Sequence, residues 1–385
     1  MFRRFIPLVV FLCVSAGQAQ QDTATVQPYA SINRQTINYA GPDRESARDL
    51  AGPEIKIGLI APLQGVRKAE GDALVAAAQM GVEDESAAPL AGGQRLVLVT
   101  RDETGLWGRA ASEIVKLVVD DRAVALITSS DGRAAHLSEQ VGNRLGVPVM
   151  TLATDATTTQ INIPWLFRIV PNDAAQARAF AESIYREHAY RKVLLISESD
   201  HDGRVGAEEF GKAARRLQAP TPARIEITLP LDDVNLLLKE IRAQEPEAIV
   251  LWTCAATAAQ LLEGISGTCA GIYFCRKALE EPLISAVRGK QNLWITASRI
   301  AGSGSENVTF AERYRARTGA APGPAAAEVY DAVRLIAAGL RESGPNRARL
   351  RDALAARGEY RGASGIIAFD GAGNNQAEVA LVPLR

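Results

Sequence analysis

Five loops carry the residues best placed to do chemistry. In TSSDGRAAHLSEQ (128–140) an apolar run gives way to a helix-forming stretch, so Ser129, Ser130, Asp131, Gly132 and Arg133 fall where hydroxyls and free helix N-terminal N–H groups converge. The competing reading is that Ser130 or Asp131 simply caps the helix, and the Asp131 charge opposes an anion. In TLATDATTT (151–159), Ala153, Thr154 and Asp155 offer a carbonyl, a hydroxyl and a negative partner for a cation, unless the threonine-rich loop bonds to itself. Further on, SESDHDGRVGAEEF (197–210) supplies Asp202 and Gly203, and LWTCAAT (251–257) supplies Trp252, Thr253 and Cys254, with Trp252 as either core or cleft wall. Cys275, Arg276 and Lys277 follow another short apolar run, with Glu280 and Glu281 just beyond.

Catalysis is not expected. The chain has no Gly-x-Ser-x-Gly elbow, His-Glu-x-x-His, phosphate loop or Gly-x-Gly-x-x-Gly fingerprint. Its three histidines, His136, His188 and His201, stand at separations that suggest no metal set, and no cofactor is expected. His136 and His188 fall on expected helices; His201 is distinguished by its neighbours Asp200 and Asp202.

The elements that must position these loops alternate. EIKIGLIAPL (54–63), RLVLVT, AVALIT and VPVMTL read as buried strands, separated by helices over about 71–85, 107–119 and 133–145. The rhythm restarts with KVLLIS, RIEITL, AIVLWT and IYF, separated by helices over about 205–217 and 234–244 and one running through Leu262. Strands alternating with helices of this length imply βαβ units, hence parallel sheets with helices on both faces. Between the two series, FRIVPNDAAQARAF (167–180) ends a strand at Pro171 and opens a helix with an Asp173/Gln176 capping box, turning Ala177, Ala181 and Ile184 inward, while Arg168 is expected to anchor the crossover to a carboxylate. Past LWITAS two helices are expected, the second with Val329, Val333, Ile336 and Leu340 on one face and Arg334 off it. The end reads as a hairpin: GIIAF, a turn over 370–374, then EVALVP.

Length and charge agree with two lobes. At 385 residues the chain exceeds one ordinary core, and 43 Lys plus Arg against 44 Asp plus Glu leaves a net charge of -1, which argues against nucleic acid as partner. Residues 1–19 have the three-part plan of a signal peptide, with Arg3 and Arg4, an apolar stretch and small residues to Ala19. No later apolar run is long enough to span a bilayer, so no membrane insertion is expected after cleavage. Residues 20–53 read as a polar extension. Of Cys254, Cys269 and Cys275 at most one pair forms, and the spacing does not say which.

IKIGLIAPLQG, GVPVMTLATDATT, FRIVPNDAAQARAFA, EVYDAVRLIAAGL and YRGASGIIAFDGAGN, colinear from Glu54 onward, resemble the type I periplasmic binding proteins, within them the receptors of ABC transporters for branched-chain amino acids, amides and urea (the Leu/Ile/Val-binding group). The resemblance implies an α/β fold of two Rossmann-like lobes, 54–171 plus 299–361 and 172–298 plus 362–385, joined by three hinge crossovers at about Val170–Asn172, Ala297–Ile300 and Tyr360–Gly365. A small solute would bind in the cleft and draw the lobes shut for a membrane permease, in an exported, periplasmic, monomeric protein; the alternative is a ligand sensor of the same fold. On the same likeness the loop at Ser129, Ser130, Asp131 and Gly132 holds a ligand carboxylate or amide, and Ala153, Thr154 and Asp155 grip an amine. Asp202-Gly203 stands where the family often has Tyr-Gly, and Thr253 and Cys254 complete the far wall. Arg276 and Lys277 stand near a position where amino acid binders place an acid, so if they face the cleft a ligand carboxylate is favoured there.

Overall fold

In the computed structural model, residues 49–384 are described except for 88–89, 91–92, 105–106, 161–162 and 299–304. The expected signal peptide and most of the extension therefore lie outside the described residues, as does the end of the second expected hinge. Where the extension enters, Leu50 N–H donates to Pro345 O at 2.8 Å and Asp49 pairs with Arg349.

The first sheet is fully parallel, in the order β2 (Arg95–Asp102), β1 (Glu54–Ala61), β3 (Ala125–Thr128), β4 (Val149–Thr151), β5 (Leu166–Arg168). Its crossovers are α1 (Lys68–Ser86), α2 (Trp107–Val119) and α3 (Gly132–Leu145). β1 is buried along almost its whole length, as a central strand covered on both faces must be. Helix α3 shows how local chemistry sets its bounds: Asp131 accepts the Arg133 and Ala134 N–H groups at its start, and Gly146 takes the left-handed φ of 63° that ends it.

The second sheet runs β13 (Val379–Pro383), β10 (Leu293–Ser298), β9 (Gly271–Phe274), β8 (Ala248–Trp252), β6 (Val193–Glu198), β7 (Ala223–Ile227), parallel except for β13. It is flanked by α4 (Asp173–Ala181), which continues as π-helical turns over Glu182–Glu187, and by α5 (His201–Arg216), α6 (Val234–Ala243), α7 (Ala255–Ile265) and the single turn α8 (Leu283–Ala286). Each lobe has its own core. Ile57, Met150, Phe167, Val333 and Ile336 belong to the first, and Phe180, Ile196, Phe210, Val250 and Tyr273 to the second. Each such side chain contributes about 1.5–3 kcal/mol by leaving water.

The first lobe is completed by α9 (Ser305–Thr318), α10 (Pro324–Ser343) and α11 (Arg347–Ala356). Sequence reading expects two helices here and misses α11, where Arg347, Arg349 and Arg351 interrupt the apolar positions; its cap, Asn346, accepts the Ala348 and Arg349 N–H groups.

Four other expectations are corrected: the terminal hairpin, the third crossing, the cap at the first crossing and the partner of Arg168. The terminal hairpin does not form between the last two strands. Instead β11 (Tyr360–Gly362) pairs with β12 (Gly365–Ile367), and β13 adds to the free edge of β10, a pairing that only the second sheet can offer. Ala363, Ile367 and Phe369 belong to or pack against the first core, and Asn374 bridges to Arg168, so the chain stays with the first lobe beyond Gly365 and crosses at about 376–378. At the first crossing, Asn172 rather than Asp173 is the cap, accepting the Ala175 N–H at 2.9 Å, while Gln176 Nε2 donates to Asp173. Buried Arg168 meets no side-chain carboxylate: it donates to the carbonyls of Ala153 and Asp155 and the hydroxyls of Thr158 and Thr159. Cys254, Cys269 and Cys275 are all free thiols, so none of the possible pairs forms.

Candidate functional site

The two sheets present the carboxyl ends of their strands to each other, where open parallel sheets offer loops and helix N-termini to ligands. On the first lobe, Arg67, at the start of α1, is the hub. Its guanidinium donates to Glu70 at 2.8 and 2.9 Å, Glu103 at 3.3 Å, Asp131 at 3.1 Å and Ser130 Oγ at 3.2 Å. Ser129 Oγ donates to Glu103, and Ser130 Oγ donates to Glu70 at 2.7 Å. Burial opposes the Arg67 charge, but the three carboxylates outweigh it and hold Arg67 protonated well above its usual range. Burial pushes Glu103 up to about 8, with Asp131 and Glu70 adding to the effect. Asp131 is also buried, yet its bonds to Arg133 and the Arg67 charge bring it down to about 2. Its capping role is realised.

The β4 loop bonds to itself and reaches across. Asp155 Oδ1 accepts the Thr157 N–H at 2.8 Å and hydroxyl at 2.7 Å, while Oδ2 meets His136 Nε2 at 3.1 Å and His201 Nε2 at 2.6 Å. Despite burial, these bonds hold Asp155 well below the usual carboxylate range, and the Asp155 and Glu139 carboxylates raise His136 to about 9. Thr154 O accepts the Asp173 N–H at 2.8 Å.

From the second lobe, Asp202 Oδ1 accepts the Gly132 N–H at 3.1 Å and Oδ2 accepts Lys277 Nζ at 3.0 Å. Glu198 Oε1 takes the Cys254 N–H and the Thr257 hydroxyl, while Thr253 Oγ1 is buried with no hydrogen-bond partner. Arg276 pairs with Glu328 of α10, and Glu280 Oε1 accepts the Ala325 N–H at 3.3 Å. Gly132–Asp202, Asp155–His201, Arg276–Glu328 and Glu280–Ala325 all join one lobe to the other, so the cleft is closed.

Inside it remains a cavity of about 270 Å³. Arg67, Glu70, Arg276, Lys277, Glu280, Glu281 and Glu328 supply its charges; Leu152, Val170, Ala255, Ala256, Pro282 and Pro324 supply its apolar walls. Of the residues expected from sequence, Ser130, Thr154 and Cys254 line this cavity. Ser129, Asp131, Gly132, Ala153, Asp155, Asp202 and Thr253 do not: Ser129, Asp131, Gly132, Asp155 and Asp202 are spent on capping, on the Arg67 hub or on the contact between lobes, Ala153 O accepts from Arg168, and the Thr253 hydroxyl is buried without a partner. Arg276 and Lys277 do face the cleft. Glu70 and Glu328 escape a sequence reading because they stand inside α1 and α10 and not in the strand-end loops, and Arg67 because it closes the loop after β1, a stretch without the hydroxyls and acids that mark the others. His136 and His201, remote in sequence, meet on one oxygen, against the expectation drawn from their spacing.

The lobes, their shared cleft and the order of elements agree with comparison to known proteins: residues 54–383 match the periplasmic binding protein family. The chain belongs to that family. A Leu/Ile/Val-binding protein homolog of Brucella melitensis is 26% identical over 197 residues, 51% of this chain and 53% of that protein. Glutamate receptor 3.4 of Arabidopsis thaliana is 26% identical over 137 residues, 35% of this chain and 14% of that protein. The chain thus spans about half the length, or less, of these curated relatives. Among solved structures, the branched-chain amino acid transporter substrate-binding protein of Streptococcus pneumoniae in complex with isoleucine has a TM-score of 0.74 at 21% identity, covering 86% of this chain and 99% of that one. An ABC-transporter solute-binding protein of R. palustris in complex with benzoate reaches 0.77 at 18% identity, covering 86% and 93%. At such identities the likeness shows the fold alone, two α/β lobes. Among the described residues no helix is long and apolar enough to cross a membrane.

Proposed function

We propose that the chain is an exported periplasmic receptor that captures a small organic molecule bearing a carboxylate in the cleft and delivers it to an ABC permease. One observation carries this reading: between the closed lobes lies a cavity of about 270 Å³ that both line, with Arg276 and Lys277 beside apolar walls. That volume suits a solute of amino acid or aromatic acid size held by a few polar groups against an apolar wall. The isoleucine and benzoate named for the two solved relatives each combine a carboxylate with an apolar body. Helix α7 begins at the cavity with no side chain capping it, since Cys254 makes no cap bond, and a helix N-terminus of this kind favours an anion. Ser130, Thr154 and Cys254 are the ligand contacts proposed among the residues read from sequence. No residue is assigned a catalytic role.

A thermal-shift screen of benzoates, branched-chain amino acids, amides and short dicarboxylates tests it. A cleft-binding solute at a hundred times its Kd adds about 2.7 kcal/mol of stability. Ala256→Trp, which fills the cavity, should abolish that shift. No stabilisation by any carboxylate-bearing solute would overturn the reading.

A further inference from the structure

The lobes meet away from the cavity at a cluster that capture of a solute does not use. His136 stands on α3 and Asp155 in the loop after β4, both in the first lobe, whereas His201 opens α5 in the second. The three offer one donor atom each, all within 4.8 Å of one another. On the other side of the His136 ring, Glu139 Oε2 lies 3.3 Å from Nδ1, and Glu139 is only 1% exposed.

The neutral cluster has a conflict between acceptors. Glu139 takes the proton on His136 Nδ1, so a neutral ring turns the lone pair of Nε2 toward Asp155 Oδ2, itself an acceptor. Thr157 Oγ1, 2.9 Å from the same nitrogen, is committed as a donor to Asp155 Oδ1. Added positive charge between His136, Asp155 and His201 resolves the conflict, as a proton or as a metal ion. Two imidazoles and a carboxylate are a donor set that zinc and similar dications favour. A buried carboxylate behind a ligating histidine fixes its tautomer and raises its basicity. Metal–ligand bonds of about 2.0–2.2 Å separate the donors of a tetrahedral site by roughly 3.3 Å, within the present spacing after small side-chain rotations.

We propose that His136, Asp155 and His201 form a divalent transition-metal site, best suited to zinc, that latches the two lobes. Two ligands come from the first lobe and one from the second, so the ion binds the closed form selectively and draws the cleft shut without any solute. His201, 30% exposed at its side chain, opens the site to solvent, leaving room for a water as fourth ligand. Metal and solute would each tighten the binding of the other by the same factor.

The test uses the whole chain stripped by chelator, with no solute present. Zinc is titrated by calorimetry, cobalt(II) is followed by its visible absorption, and small-angle scattering reports closure. One ion per chain, intense tetrahedral cobalt bands and a smaller radius of gyration are expected. His201→Ala and His136→Ala, checked for folding by circular dichroism, should lose the bands; Glu139→Gln should weaken zinc about 10- to 100-fold. Absence of saturable zinc binding, or binding unchanged in folded His201→Ala, would overturn the proposal and leave a proton-held ion pair. Because the readout is the metal alone, its failure leaves the cavity reading standing, and a cavity-filled variant that still binds zinc separates the two in the other direction.

Discussion

Asp202 of α5 accepts the Gly132 N–H at 3.1 Å, setting a carboxylate of the second lobe on the N-terminus of α3 in the first. The chain's own side chain thereby occupies the place that the family resemblance reserves for a ligand carboxylate, and the cavity lies beside it, toward Arg276 and α7. Asp202→Ala should remove a charge-assisted bond that exists only when the lobes are shut, shifting the closure equilibrium toward the open form by about 1.5–3 kcal/mol. Lys277 keeps Asp200 at 3.6 Å, so the variant is not left with an isolated buried cation. A larger radius of gyration in scattering and a lower solute affinity would be seen together; unchanged values of both would show that the contact does not couple the lobes.

Arg168 organises the β4 loop from within. It is fully buried and donates to four groups of that loop, and no surrounding water can replace it. Arg168→Met should lower the unfolding free energy by roughly 2–4 kcal/mol, read as a drop in urea midpoint at constant slope. A loss below that range would mean the loop holds itself through Asp155 and its threonines.

Gly206 shows how closely α5 approaches β8. A Cβ at this position would lie 1.9 Å from Trp252 Nε1, and Trp252 is buried against Phe180. Gly206→Ala therefore forces the indole or the helix to move, at an expected cost of about 1–3 kcal/mol in denaturant unfolding. A neutral outcome would place Trp252 in a looser setting than the edge-to-face contact with Phe180 implies.

Stability should fall as pH rises through neutrality. Burial raises Asp331 to about 6, Asp173 and Glu280 to about 7, and Glu103 to about 8. Each binds its proton more tightly folded than unfolded, so its contribution is complete below the ordinary carboxylate values and is lost as pH climbs through the folded ones. Asp131, brought down to about 2, does not titrate in this window. The urea midpoint should be higher near pH 5.5 than near pH 8.5, and Asp331→Asn should flatten the lower part of that slope. A midpoint that rises with pH would contradict the burial of these acids.

Much of the fold was legible in short stretches because βαβ units are encoded locally. Apolar runs bounded by turns mark β1, β6 and β8, and helical spacing marks α2 over Trp107–Val119 and the inward face of α10. The inward turn of Ala177, Ala181 and Ile184 follows from the same periodicity, and all three are buried. Cap identity is less secure: Asn172 and Asp173 are both good caps, and packing at the crossover chooses between them.

The sequence by itself determined two alternating series of strands and helices and the strand-end loops at Ser130, Thr154 and Cys254. Only the tertiary structure decided that β13 leaves β12 for β10, that Arg67 and Glu328 reach the cavity from α1 and α10, that Asp202 meets the N-terminus of α3, and that His136 and His201 share Asp155. Periodicity reports which face of an element avoids water, a property of neighbouring residues. Which charge meets which depends on how two separately folded sheets close on each other, and that pairing leaves no trace in local spacing.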